Sequence, residues 1–274
     1  MSWGNTPSSA VTFLDRKAGL VDYHVHSTFS YDGRSTINEI CERAVELKFR
    51  EVGFSEHVDF DPSDEGFGFF DGNRYESSIN EAQRLFNGKL AIRMGVEVDY
   101  QSRFEQQIRD WLRGKRFDFV IGSVHYVDGE IIGNRLVAKR SLREVYGEYF
   151  AEVRKSVESR LFDVVGHLDV VNKYVSDQTF QLKDREYGMN LDSTLKEIID
   201  KEIFLEVNTK PSVLENNPCS TLPNREAILR YFDFGGKRIS VGSDTHVKEE
   251  LGSGINEILG FLERNGPRGI VLLF

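Results

Sequence analysis

A chain of 274 residues, 39% of them hydrophobic and with no apolar run of about 18, can bury one large core but has no stretch that reads as a membrane-spanning helix. Its 35 basic and 44 acidic residues leave a net charge of −9, which argues against a surface that tracks a nucleic acid backbone or an anionic membrane. No linker rich in Pro, Gly or Ser divides it, so one domain is expected over 21–274. The N-terminal extension, 1–20, has neither a basic start nor an apolar signal core, and a cytoplasmic location is expected.

In chain order, the first strand ends in VDYHVHSTFSYDG, where His24 and His26 leave the same face two residues apart and can grip one ion. From Ser35 to Lys48 the apolar residues Ile37, Ile40, Cys41, Ala44 and Val45 recur at helical spacing, and Thr36 with Glu39 forms a capping-box pair. Cys41 then reads as a small buried residue, and no disulfide to Cys219 is expected in a reducing compartment. GFSEHVDF carries His57. The glycine-rich GFGFFDG near Phe69 does not sit between an evident strand and helix, so residues 66–73 read as an aromatic lid rather than a phosphate loop. GVEVDY supplies Glu97, and RFDFVIGSVH supplies His125. GNRLVAKRSL follows with Arg135, Lys139 and Arg140, for which a solvated loop is the ordinary reading. RLFDVVGH ends in His167, with Lys173 shortly after. Helical stretches at Met189 to Lys201 and Arg225 to Phe234 lead to LEVNTKP, with Asn208 and Lys210, and to RISVGSDTH, with Asp244 and His246.

All six histidines thus lie in short turn-like stretches beside carboxylates. One histidine in an apolar setting is often a hydrogen-bonded core residue, but six in this arrangement read as a metal site. Nitrogen and oxygen ligands without thiolate admit zinc, iron or manganese. The apolar runs before them read as strands covered on both faces, hence parallel with helical crossovers. Repetition of strand, site residue and helix is the grammar of an α/β barrel with its site at the C-terminal strand ends.

These motifs, in this order from about Val21 to about Gly252, resemble the PHP family, the polymerase and histidinol phosphatase superfamily, and within it the bacterial histidinol-phosphate phosphatases. The resemblance implies a distorted, TIM-like (β/α)7 barrel and up to three divalent ions. One ion would take His24, His26, Glu97 and Asp244; a second Glu97, His125 and His167; a third Asp32, His57 and His246. Glu97 would bridge two ions, and Glu97, Asp32 and His246 are the expected catalytic positions. With three ions such a site carries about +3 and attracts a phosphate dianion, and a water shared between metals would lose its proton near neutral pH and attack phosphorus in line.

The implied activity is hydrolysis of a small phosphate monoester, L-histidinol phosphate, in histidine biosynthesis. The alternatives are a PHP-type phosphodiesterase or exonuclease and a non-catalytic metal-binding protein. Arg135, Arg140, Lys173, Asn208 and Lys210 are the candidates for binding substrate, with Glu65 and Phe69 for a wall facing its cationic end. Glu56, Asp59, Asp99, Asp128 and, foremost, Asp169 are the candidates for orienting the imidazoles. After EVNT, where relatives carry a glycine and basic residues, this chain has KPSVLENNP.

Overall fold

The computed structural model describes residues 11–12, 19–175, 184–210 and 221–273. Seven strands, β1 Leu20–Val25, β2 Phe49–Val58, β3 Ala91–Asp99, β4 Phe119–Ser123, β5 Val164–Val165, β6 Phe204–Asn208 and β7 Arg238–Gly242, pair in parallel in sequence order. The sheet curls until its ends meet: Val25 bridges Thr245 just past β7, and His26 N–H donates to the Thr245 carbonyl at 2.8 Å. Asp22 fastens the same seam, accepting from Ser243 N–H at 2.9 Å and from Gly252 N–H at 3.2 Å. Beyond β7 the sheet continues through Val271–Leu272, parallel to it, and Val11–Thr12, antiparallel. The architecture is the expected distorted, TIM-like barrel.

The helices are α1 Ile37–Glu46, α2 Gly72–Leu85, α3 Glu105–Leu112, α4 Asn134–Lys139, α5 Leu142–Ser159, α6 Arg185–Asp200, α7 Arg225–Asp233 and α8 Ile255–Asn265. The capping box of α1 forms between Thr36 and Glu39, and Cys41 lies buried on its inner face. Helix α6 begins before Met189 because the Asp184 side chain accepts from the N–H groups of Glu186 and Tyr187, both at 3.0 Å. Among the described residues no helix is long and apolar enough to cross a membrane. Residues 211–220, which hold all of KPSVLENNP after Lys210 and also Cys219, lie outside the described residues.

Two apolar layers form. The larger lies between strands and helices and includes Val25, Val52, Phe54, Val96 and Val98. The smaller fills the floor of the barrel with Val21, Tyr23, Phe119, Ile121, Val164 and Phe204. Phe119 fits because Gly53 and Gly95 face it, where an added Cβ would come within 2.8 and 2.5 Å of its ring.

The way β1 delivers its histidines depends on an irregularity. Val21 and Tyr23 pack in the floor, but Val25 packs in the outer layer, so the side-chain alternation changes phase between them. The pairing with β2 slips there: Asp22 opposes Val52 and Val25 opposes Phe54, three residues against two. This extra residue turns His24 and His26 into the barrel above the apolar floor.

The structure corrects one part of the reading of GFGFFDG, that it does not sit between a strand and a helix. Its first six residues belong to the segment 59–71, which joins β2 to α2, its last, Gly72, opens that helix, and Asp71 caps it by accepting from Arg74 N–H at 3.1 Å. The turn-rich DPSDEG upstream hides the connection in the sequence. Phe70 packs against Tyr75 and Trp111, with centroids 5.4 and 6.0 Å away, while Phe67 and Phe69 are half exposed.

Candidate metal centre

Each expected ligand except Asp32 stands at or just beyond the C-terminal end of a barrel strand, as parallel βα units dictate. His24, His57 and Glu97 are on β1, β2 and β3; His125, His167 and the pair Asp244 and His246 follow β4, β5 and β7. Asp32 comes from the loop before α1.

Glu97 stands at the middle. Its Oε2 lies 3.2 Å from His24 Nε2, 3.4 Å from His26 Nε2 and 3.1 Å from His57 Nδ1. Its Oε1 lies 2.9 Å from His167 Nε2 and 3.7 Å from His125 Nε2, and accepts from Ser123 Oγ at 2.5 Å. One carboxylate therefore divides five of the six histidines into two groups, a geometry suited to bridging two cations. Asp244 Oδ1 stands 3.9 Å from His24 Nε2 and 3.6 Å from His26 Nε2. Asp32 lies 3.0 Å from His246 Nε2 and 3.7 Å from His57 Nε2. All nine expected ligands are thus brought together.

Partners behind the imidazoles fix which nitrogen faces the centre. His24 Nδ1 lies 2.5 Å from Glu206 Oε1, and His125 Nδ1 lies 3.3 Å from Asp99 Oδ1. His246 Nδ1 donates to the Asp244 carbonyl at 2.9 Å. Ser30 Oγ donates to Glu56 Oε2 at 2.7 Å, so its lone pairs accept the His26 Nδ1 proton at 3.1 Å. In these four rings the Nδ1 proton is engaged and the Nε2 lone pair is left for a metal.

The fit to a cation rests on atoms the fold leaves unpaired. His24 Nε2, His26 Nε2, Glu97 Oε2 and Asp32 Oδ1 are buried without a hydrogen bond among the described residues. Four groups of three side chains can each present ligand atoms within 4.8 Å of one another: His26, His57 and His246; His24, His26 and Glu97; His24, His167 and Asp244; Glu97, His125 and His167. Converging, desolvated nitrogen and oxygen atoms without partners suit divalent ions of the zinc, iron and manganese kind.

Burial works against charge at Glu97, yet the imidazoles of His24 and His57 overcome it and hold its carboxyl well below the usual range. Burial opposes charge at Asp244 too, and there Lys210 and His24 reverse the balance. Asp59 has less help: burial pushes it up to about 7, with the neighbouring charges of Asp64 and Asp99 adding to the rise and His57 opposing it.

A cavity of about 180 Å³ opens over the cluster, with Lys173, Lys210, Asp59, Asp64 and Tyr31 in its walls. Of the expected substrate-binding residues, Lys173 and Lys210 line it. Asn208 is buried beside it and donates to Asp244 Oδ2 at 3.4 Å. Arg135 and Arg140 are absent from its walls, because GNRLVAK folds as α4 around the buried Leu136, leaving Arg135 exposed and Arg140 paired with Glu148 at 2.5 Å. Glu65 and Phe69 are exposed and outside it as well.

Asp169 does not orient an imidazole. It accepts from Tyr187 Oη and Asn172, its N–H donates to Tyr149 Oη at 2.9 Å, and burial pushes its carboxyl up to about 7. It ties the loop after β5 to α5 and α6. Asp128 is an exposed turn residue. The residue the sequence reading missed is Glu206, which holds His24 Nδ1 through one oxygen and His167 N–H through the other. Its signal was available: a carboxylate in the middle of the apolar strand FLEVN.

The PHP domain model matches residues 22–210. The histidinol-phosphatase of Lactococcus lactis subsp. lactis is 28% identical over 256 residues, covering 90% of this chain and 91% of its own. The histidinol-phosphatase of Bacillus subtilis is 26% identical over 269 residues, covering 89% and 98%. A crystal structure of the Lactococcus lactis histidinol phosphate phosphatase, complexed with zinc, L-histidinol and phosphate, superposes with a TM-score of 0.80 at 27% identity over 90% of this chain and 93% of that one. With the family model covering well over half of its length, this chain belongs to the PHP domain family.

Proposed function

We propose that this chain is a metal-dependent phosphatase that hydrolyses L-histidinol phosphate to L-histidinol and phosphate in histidine biosynthesis, and that it works in the cytoplasm. The observation that carries the reading is the position of Glu97, one oxygen toward His24, His26 and His57 and the other toward His125 and His167. His24, His26, Glu97 and Asp244 would hold one divalent ion, Glu97, His125 and His167 a second, and Asp32, His57 and His246 a third. Ions there supply polarisation of the phosphoryl oxygens and acidification of a water to a nucleophile near neutral pH.

The rest of the work belongs to the chain. Glu206, Asp99 and Ser30 keep the Nδ1 protons of His24, His125 and His26 away from the centre. Lys173 and Lys210 line the cavity and would donate to phosphoryl oxygens, Lys210 from beside Asp244, whose Oδ1 accepts from its Nζ at 2.8 Å. Asp32 and His246, 3.0 Å apart, stand with Glu97 as the positions where substitution acts most directly on turnover.

The test is phosphate release from L-histidinol phosphate compared with release from a phosphodiester such as a short single-stranded DNA. Turnover of the monoester with none of the diester supports the reading; cleavage of the DNA alone sinks it in favour of a PHP-type exonuclease.

A further inference from the structure

Of the six imidazoles, His125 is the least enclosed: its side chain is 26% exposed, against 14% for His57 and His246 and 5% or less for the other three. Packing therefore does little to hold this ring. Its direction depends on Asp99, whose Oδ1 lies 3.3 Å from His125 Nδ1 and accepts from His125 N–H at 3.1 Å. Asp99 is held in turn by the buried Gln101, whose Nε2 donates to Asp99 Oδ2 at 2.9 Å.

Both ends of the Gln101 amide are fully used. Nε2 also donates to Asp61 Oδ2 at 3.4 Å, and Oε1 accepts from Arg103 Nε at 3.0 Å and from its Nη2 at 2.7 Å. Arg103 Nη2 closes the ring on Asp61 Oδ2 at 2.5 Å, while Asp61 Oδ1 accepts from Ser63 N–H and Oγ at 2.9 and 2.8 Å. Ionised carboxylates only accept and a guanidinium only donates, so a neutral amide satisfies both sides at once. Asp61 follows β2, Gln101 and Arg103 follow β3, and His125 follows β4, three adjacent strands. The link runs from the half-exposed Arg103 through the buried Asp61, Gln101 and Asp99 to the metal centre.

We infer that Gln101 is a positioning residue for the ion assigned to Glu97, His125 and His167. By holding Asp99 Oδ2 it leaves Oδ1 to His125 and keeps Nε2 of that ring turned toward His167 Nε2 and Glu97 Oε1, 3.2 and 3.7 Å away. This rests on the metal-dependent reading of the site and adds to it a residue that touches neither metal nor substrate. Loss of the amide frees Asp99 to rotate and lets the most exposed ligand swing out, while His24, His26 and His246 keep Nδ1 partners of their own. A glutamate at this position has the same length but sets a third carboxylate against Asp99 and Asp61.

The test is calorimetric titration of the metal-stripped full chain with zinc, in wild type, Gln101→Met, Gln101→Glu, Asp99→Ala and the double variant Asp99→Ala with Gln101→Met. Gln101→Met is expected to weaken one binding event by about tenfold and leave the others unchanged, with an unchanged urea midpoint. Because Gln101 acts through Asp99, the double variant should bind zinc no more weakly than Asp99→Ala alone. Turnover of Gln101→Met on L-histidinol phosphate should recover when free zinc is raised about tenfold, since every ligand is still present. If Gln101→Met does not fold, Gln101→Glu gives the same readout at the same length. Zinc binding unchanged in both variants would overturn the assignment. Equal weakening of every binding event with a lowered urea midpoint, or losses that add in the double variant, would overturn it too, leaving Gln101 a purely structural residue. The zinc titrations decide this whether or not wild type hydrolyses L-histidinol phosphate, so failure of the phosphatase reading stays distinguishable.

Discussion

His24 and Glu206, 182 residues apart in sequence, meet at 2.5 Å between Nδ1 and Oε1 in the closed interior of the barrel. The carboxylate fixes the ring's tautomer, and its second oxygen takes the N–H of His167, so one side chain positions ligands from two strands. Gly242 makes room for this, because a Cβ there would collide with His24 and approach Glu206 Oε1 within 2.9 Å. Glu206→Gln places an amide where two donors already point. It should lower zinc affinity and kcat/KM by about 10- to 100-fold. Equilibrium dialysis with zinc and steady-state kinetics check this, and unchanged affinity would remove Glu206 from the site.

Glu97→Ala should have a different signature. Removal of the carboxylate that faces both groups of histidines should abolish metal-dependent turnover and lower the number of ions retained per chain. Metal analysis after gel filtration distinguishes this from Glu206→Gln, which keeps every ligand and weakens their grip.

The barrel floor makes a prediction about stability. Gly95 faces the Phe119 ring, and a Cβ would come within 2.5 Å of it. The ring is buried against Tyr23, centroids 6.1 Å apart, and has little room to retreat. Gly95→Ala should destabilise the fold by about 1–3 kcal/mol through overpacking. Urea denaturation followed by circular dichroism measures it, and an unchanged midpoint would show a floor that yields.

Asp163 gives a pH dependence. It accepts from Val120 N–H at 2.9 Å, and burial raises its carboxyl above the ordinary 3.8 despite that bond. A folded-state value above the unfolded one means that the fold binds this proton more tightly. The contribution to stability is therefore full below pH 3.8 and is lost as pH rises through the folded value. Asp163→Asn, neutral throughout, should remove that part of the slope when urea midpoints are compared across this range. An identical slope in the variant would contradict the assignment.

Much of this architecture was legible in the chain itself. Apolar runs ending in His125, His167 and His246 gave parallel strands with a site at their C-terminal ends, and Thr36 with Glu39 gave the start of α1. What was hidden depends on register and on distant partners. The slip between Asp22 and Val25 leaves the HxH spacing unchanged, so nothing in the spacing announces that it turns both histidines inward. Asp169 sits two residues from His167 and faces away, whereas Glu206 lies 39 residues on and reaches it. Proximity in sequence misleads here because neighbouring strands, not neighbouring residues, build the centre. Arg135 and Arg140 failed to reach the cavity for a similar reason: burial of Leu136 decides how α4 is turned.

The most direct test of the account is metal removal and return. The purified protein is stripped with a chelator, reloaded with zinc, manganese or iron, and assayed for phosphate release from L-histidinol phosphate alongside the number of ions bound per chain. The account predicts loss of turnover on stripping and its recovery as ions return, with more than one bound per active chain. Full activity in protein shown to be free of metal would contradict it.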